Sequence, residues 1–126
     1  MEVKKIKRYS VDLVEQNPDH VFIFGDNICG IGRGGQAQIR YCKNAHGIPT
    51  KLKPSQLPDS YFSDDSYDSN IAHINKALDS IPKYYKVIVF PEDGLGTGLA
   101  ELPQRAPKTY AYLNNAINER YGAIYE

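Results

Sequence analysis

Three observations predict an α/β domain. Two short apolar runs are rich in β-branched and aromatic residues, amphipathic helical spacing follows them, and a glycine-rich segment lies directly beyond each run. The runs are Val21-Phe22-Ile23-Phe24 and Val87-Ile88-Val89-Phe90, and each reads as a buried strand that ends at a turn signal. A chain of 126 residues has the size of one typical domain, long enough to bury roughly two-thirds of the surface its unfolded form exposes. Strands alternating with helices imply some parallel strand order.

The elements follow in chain order. A short helix is expected from Ser10 to Asn17, ended by Pro18. Beyond the first strand, Ile39, Cys42 and Ala45 repeat at helical spacing and suggest a helix from about Gly35 to Ala45, entered through a tight glycine-rich connection. Between Lys51 and Ser66, Pro54, Pro58, several serines and three aspartates favour a loop, either a lid or a solvated excursion. Ile71, Ile74, Leu78 and Ile81 then mark one face of a helix that Asp68 or Ser69 could cap. After the second strand, Ala106, Tyr110, Leu113 and Ile117 mark another, with Pro107 in its first turn and Gly122 just past its end. Ile124 is placed in a final edge strand.

Composition excludes several classes of function. Lys plus Arg and Asp plus Glu each number 15, so no long-range positive field gathers nucleic acid or anionic membrane, and any anion site must be local. Cys29 and Cys42 are too few for a disulfide framework and match no metal-ligand spacing, which points to a reducing, cytoplasmic setting. Residues 1–8 are charged and lack the apolar core of a secretory signal, and no stretch approaches the roughly 20 apolar residues that span a bilayer. No metal or cofactor is expected.

The chemistry lies in the two glycine loops. The first strand runs into Gly25-Asp26-Asn27-Ile28-Cys29-Gly30-Ile31-Gly32-Arg33-Gly34-Gly35, with four glycines from position 30 to position 35. The second runs into Asp93-Gly94-Leu95-Gly96-Thr97-Gly98-Leu99. Phosphate binding needs backbone N–H groups at close range, which side chains obstruct. A following helix adds its own N-terminal amides. In open α/β sheets ligands bind beyond the carboxyl ends of strands, so two such loops could clamp one ligand. The bland alternative is a pair of tight turns with no ligand. Arg33 either pairs with an anion or turns to solvent, and Asp26 either caps its turn or meets a ligand's polar group. Neither loop is a P-loop or a dinucleotide fingerprint, which argues against an NTPase or a dehydrogenase.

The order of strand, Gly-Asp-Asn, glycine loop, helix, Gly47-Ile48-Pro49-Thr50-Lys51, helix, strand, glycine loop and helix resembles the macro domain superfamily over about residues 21–113. The resemblance implies a single three-layer α/β/α domain over 1–126 with a mixed central sheet. It also implies a cleft for ADP-ribose or a related nucleotide, with the diphosphate between the loops. In that correspondence Asn27 approaches the distal ribose, Gly32, Gly34 and Gly35 form the first loop, and Gly94, Gly96, Thr97 and Gly98 form the second, with Leu99 packed below it. Lys51 resembles the lysine with which one hydrolytic subgroup attacks the sugar carbon. That subgroup pairs its lysine with an aspartate just after the second loop, where this chain has Ala100. Asp93 or Glu101 could substitute only if the backbone turned a carboxylate toward the sugar.

Other residues read plainly. His20, His46 and His73 are scattered, and the aspartates from position 59 to position 68 suit a solvated loop. Among the ten tyrosines, most suit core or rim positions, with Tyr61 and Tyr67, and also Phe62, as candidates for adenine stacking. Three functions remain: a module that binds ADP-ribose or a related, including cyclic, nucleotide signal; a hydrolase that frees ADP-ribose from a modified macromolecule through Lys51; and a non-catalytic interaction protein with structural loops.

Overall fold

Both apolar runs are strands, and they lie side by side in the middle of the sheet. In the computed structural model, which describes residues 1–125, β1 spans Glu2–Ile6, α1 Val11–Glu15, β2 His20–Asn27 and β3 Ala45–Lys51. These are followed by α2 (Tyr67–Asp79), β4 (Val87–Pro91), α3 (Leu102–Arg105) and α4 (Pro107–Tyr121). The strand order is β1-β4-β2-β3, and every pairing between these strands is parallel. The mixed sheet that the resemblance implied is therefore not formed by the described residues. Parallel neighbours require crossover connections, which here are made by the helices and helical turns between strands.

Alternation along β2 sends Val21 and Ile23 to one face and Phe22 and Phe24 to the other. The first face packs on Ile74 and Leu78 of α2 and on Leu113 and Ile117 of α4. The second packs on Val14 of α1 and on Ala37 and Ile39 of a short 3-10 turn, Gly35–Ile39. Strands covered on both faces are apolar at nearly every position, which is why β2 and β4 were the two legible from sequence.

Three expectations need correction, and two strands carry no signal in the sequence. The helix expected from Gly35 to Ala45 is only the 3-10 turn of residues 35–39. Beyond that turn Asn44 is buried, and its Nδ2, with two hydrogens shared among three acceptors, lies 3.1, 3.1 and 2.9 Å from the carbonyls of Val14, Asn17 and His20 at the end of α1. Strands β1 and β3 were not legible, because β1 is a charged edge strand and β3 is an edge strand carrying Gly47 and Pro49. Ile124 is not in a strand; its N–H donates to Gly122 O and Asn118 Oδ1, and its side chain is buried in the core. Helix α2 begins at Tyr67, so Asp68 and Ser69 fall inside its first turn rather than capping it. Ser10 does cap α1, accepting from Leu13 N–H at 3.1 Å.

An irregularity in the sheet shapes its carboxyl edge. Register between β2 and β3 shifts between Asp26 and Asn27, so Asp26 faces Pro49 whereas Asn27 faces Lys51. Thr50, the skipped residue, turns its hydroxyl onto Asp26 O at 3.2 Å. Bulges re-aim side chains, and this one places Asn27 beside Lys51.

Asp64 joins the segment before α2 to the start of α4. Its carboxylate accepts from the N–H groups of Lys108 and Thr109 and from the Thr109 hydroxyl, at 2.9, 3.0 and 2.9 Å. Burial acts to raise its pKa, but these hydrogen bonds outweigh burial and hold it below the usual aspartate range. Its stabilisation is therefore complete above the unfolded pKa and is lost as pH falls through the lower folded value. Asp64→Ala is expected to cost about 1–2 kcal/mol in urea unfolding at neutral pH. The gap from wild type should narrow below about pH 4; a gap independent of pH would show that the carboxylate does not act this way.

Candidate functional site

The carboxyl ends of the strands meet at one edge, where both glycine loops border a cleft of about 490 Å³. Gly32, Arg33, Gly34 and Gly35 line it from the first loop, and Gly96, Thr97, Gly98 and Leu99 from the second. Asp26, Asn27 and Lys51 lie between them, and Asp93 and Lys7 border it from the side of β4 and β1. Gly94 and Glu101 stand outside this lining.

Two side chains hold the loops in place. The Arg40 guanidinium grips both carboxylate oxygens of Asp26, at 3.0 and 2.5 Å, and also donates to the carbonyls of Gly32 and Ile31 at 2.7 and 3.1 Å. Asp26 thus takes the turn-holding role rather than offering a free carboxylate. Gln36 accepts from Gly25 N–H at 2.8 Å and donates to Gly94 O at 3.1 Å, tying the end of β2 to the second loop. Gly47 is required alongside: a Cβ there would stand 2.6 Å from Asp26 Oδ2. Neither Gln36 nor Arg40 was foreseen, because no spacing separates a loop-anchoring polar side chain from a solvated one.

The second loop alternates glycine with Leu95, Thr97 and Leu99. Gly94 and Gly96 have φ of 94° and 76°, conformations that glycine adopts without strain. A Cβ at Gly96 would stand 2.9 Å from Leu102 and 3.0 Å from Thr50, so the backbone there is pressed against α3. Among the described residues, the N–H groups of Gly96, Thr97, Gly98, Leu99 and Ala100 meet no protein acceptor. Leu95, fully buried, fills the space beneath the loop. Leu99 does not pack there: it is 56% exposed, and its Cδ1 reaches across to Gly34, 3.2 Å from where a Cβ would stand.

Polar groups close the cleft at the β3 end. Asn27 donates from Nδ2 to Ile31 O at 2.7 Å, while its Oδ1 is buried without a partner among the described residues. Lys51 is buried; its Nζ donates to Ser55 O at 2.7 Å and sits 4.6 Å from the centre of the Tyr61 ring. Burial lowers the Lys51 ammonium below the usual lysine range, with Glu101 opposing that shift and Arg105 adding to it. Glu101 has φ 47°, the one positive value at a non-glycine among the described residues. Its carboxylate pairs with Arg105 at 3.3 Å, and Arg105 in turn covers the Tyr61 ring at 3.6 Å.

Strand order separates the other carboxylate. Asp93 follows β4 and Lys51 ends β3, with β2 between them, which sets their backbones roughly 10 Å apart at ordinary strand spacing. Arg33 lines the cleft with its guanidinium 4.6 Å from the Tyr41 ring centre. Tyr61 and Phe62 are buried, so neither offers an open face for a base, and Tyr67 packs edge-on against Tyr112. No helix among the described residues is long and apolar enough to cross a membrane.

A family of unknown function, DUF7831, matches residues 4–116, and the chain belongs to that family. No curated protein and no solved structure matches the chain.

Gln36→Ala strands the Gly25 N–H and the Gly94 carbonyl. The expected loss is about 1–3 kcal/mol in chemical denaturation, with increased amide exchange in both glycine loops. Unchanged exchange in the second loop would show that Gln36 does not tie the two together.

Proposed function

We propose that this cleft binds ADP-ribose or a related nucleotide diphosphate, a cyclic nucleotide signal included, with the phosphates between the two loops. The observation that carries the reading is the run of N–H groups from Gly96 to Ala100 without protein acceptors, bordering the cleft opposite the first glycine loop. Such runs of backbone donors bind phosphate oxygens. Lys7, Arg33 and Lys51 add positive charge around the cleft, and the Asp26 carboxylate is already neutralised by Arg40. The volume lies within the roughly 300–1,000 Å³ typical of small-ligand sites. A macro-like arrangement belongs to the same proposal, supported by helices on both faces of the sheet and by the order of the loops, and departing from it in the wholly parallel pairing.

Gly98→Glu separates binding from folding. A Cβ at Gly98 meets nothing within 4 Å, so the variant should melt within about 2 °C of wild type. Calorimetry should show ADP-ribose affinity reduced at least about 100-fold, or 2.7 kcal/mol, by the added charge. If wild type binds no ADP-ribose-type ligand, the proposal fails.

A second reading, hydrolysis of an ADP-ribosyl bond, is favoured by one observation: a buried lysine of lowered pKa near a carboxylate whose backbone is strained. Lys51 would be the nucleophile and Glu101 the proton-transfer group. Asp93, which lines the same cleft from across β2, is the alternative carboxylate. Turnover of ADP-ribosylated protein or DNA should vanish in Lys51→Ala while ADP-ribose binding remains measurable. Wild type inactive on both substrates would rule hydrolysis out.

A further inference from the structure

We propose that residues 52–60 form a strap over the Lys51 end of the cleft, latched by the Lys51 ammonium on the Ser55 carbonyl and tightened when an anionic ligand shares that ammonium. The tightening rests on the reading of the cleft as a nucleotide-diphosphate site.

The segment is a closed excursion with a narrow neck. Lys51 and Tyr61 form an isolated antiparallel bridge, and the N–H groups of Leu52 and Lys53 both donate to Ser60 O, at 2.8 and 3.2 Å. Within it the Ser55 and Ser60 hydroxyls pair, and Ser60 N–H donates to Leu57 O at 2.9 Å. Surface loops of this length whose ends meet in this way are compact units packed by their own side chains. The neck is thus fixed by its own hydrogen bonds, and in the proposed motion contacts beyond it decide whether the strap lies down or lifts.

Those contacts are few. Pro54 lines the cleft and lies against Gly32, where a Cβ would stand 3.3 Å from its own Cβ. Leu52 at the neck packs against the core and its carbonyl accepts from Cys29 Sγ at 3.4 Å, whereas Leu57 at the tip is 65% exposed, so apolar burial holds the neck and not the tip. Among the described residues, the hydrogen bond of 2.7 Å from Lys51 Nζ to Ser55 O is the one that joins residues 54–59 to the body of the domain. A charge-assisted bond in a buried setting is stronger than a neutral one, and the Tyr61 ring, 4.6 Å from Nζ, holds the ammonium in place.

The ammonium carries three donors, and Ser55 uses one of them. A phosphate or sugar oxygen in the cleft can take another without breaking the latch. Ligand and strap are then held by the same nitrogen, and Pro54 is pressed against the ligand's flank. Release of the ligand requires the strap to lift.

Hydrogen exchange by mass spectrometry on the full chain tests this. Without ligand, Lys51→Met should raise exchange across residues 53–59 about tenfold and leave α2 unchanged. Ser60→Ala, which loosens the strap from a position outside the cleft lining, should do the same and speed ADP-ribose dissociation several-fold. ADP-ribose should slow exchange in the wild-type strap but not in Lys51→Met. Unchanged strap exchange in both ligand-free variants would overturn the latch. ADP-ribose binding seen by calorimetry with no change in strap exchange would overturn the tightening while leaving the nucleotide reading intact. Failure of wild type to bind ADP-ribose would overturn that reading and the tightening together.

Discussion

Gln36 accepts from the Gly25 amide and donates to the Gly94 carbonyl, so one side chain sets the distance between the end of β2 and the loop after β4. The glycines of these loops have no side chains with which to hold a shape, and their usefulness as phosphate cradles depends on that bareness. Something outside the loops must fix them. Gln36 does so across the cleft, and the Asp26–Arg40 pair does so within the first loop by gripping the carbonyls of Ile31 and Gly32. Both anchors spend their polar groups on the protein, which leaves the N–H groups of residues 96–100 without an internal acceptor.

The same economy governs the β3 end of the cleft. The bulge opposite Asp26 sets Asn27 beside Lys51, and the turn at Glu101, made at a cost of order 1 kcal/mol or more in backbone strain, sets a carboxylate on the lysine's side of the sheet. Lys51, Tyr61, Arg105 and Glu101 form one linked group, in which two cations contact one aromatic ring and one carboxylate partly offsets them. The strap closes over that group through Ser55. Binding, strap position and any chemistry at Lys51 thus depend on a single nitrogen, protonated when it latches the strap and free of its proton when it attacks.

What the sequence revealed follows from how each signal arises. Strands β2 and β4 are buried on both faces and announce themselves as unbroken apolar runs, whereas β1 and β3 lie at the sheet edges and carry lysines, a glycine and a proline. The α2 and α4 stripes were legible because each buries one face, even though Ile81 packs into the core from beyond the end of α2. The glycines of the site were legible as residue types with few alternative uses. Its anchors were not: Gln36 and Arg40 look like any polar residues on a short helix, and only the tertiary fold brings Gly94 and Asp26 to them. Leu99 was placed beneath the second loop, but Leu95 occupies that space, an exchange that sequence cannot decide between two leucines on one tight turn.

The most direct test is an NMR titration of the isotope-labelled protein with ADP-ribose, reading the backbone amides. Binding between the loops should shift the signals of Gly32, Gly34, Gly35 and residues 96–100 together and saturably, with smaller changes at Asn27 and Lys51. An unchanged spectrum, or shifts confined to surfaces away from the carboxyl edge of the sheet, would contradict the assignment of this cleft as the ligand site.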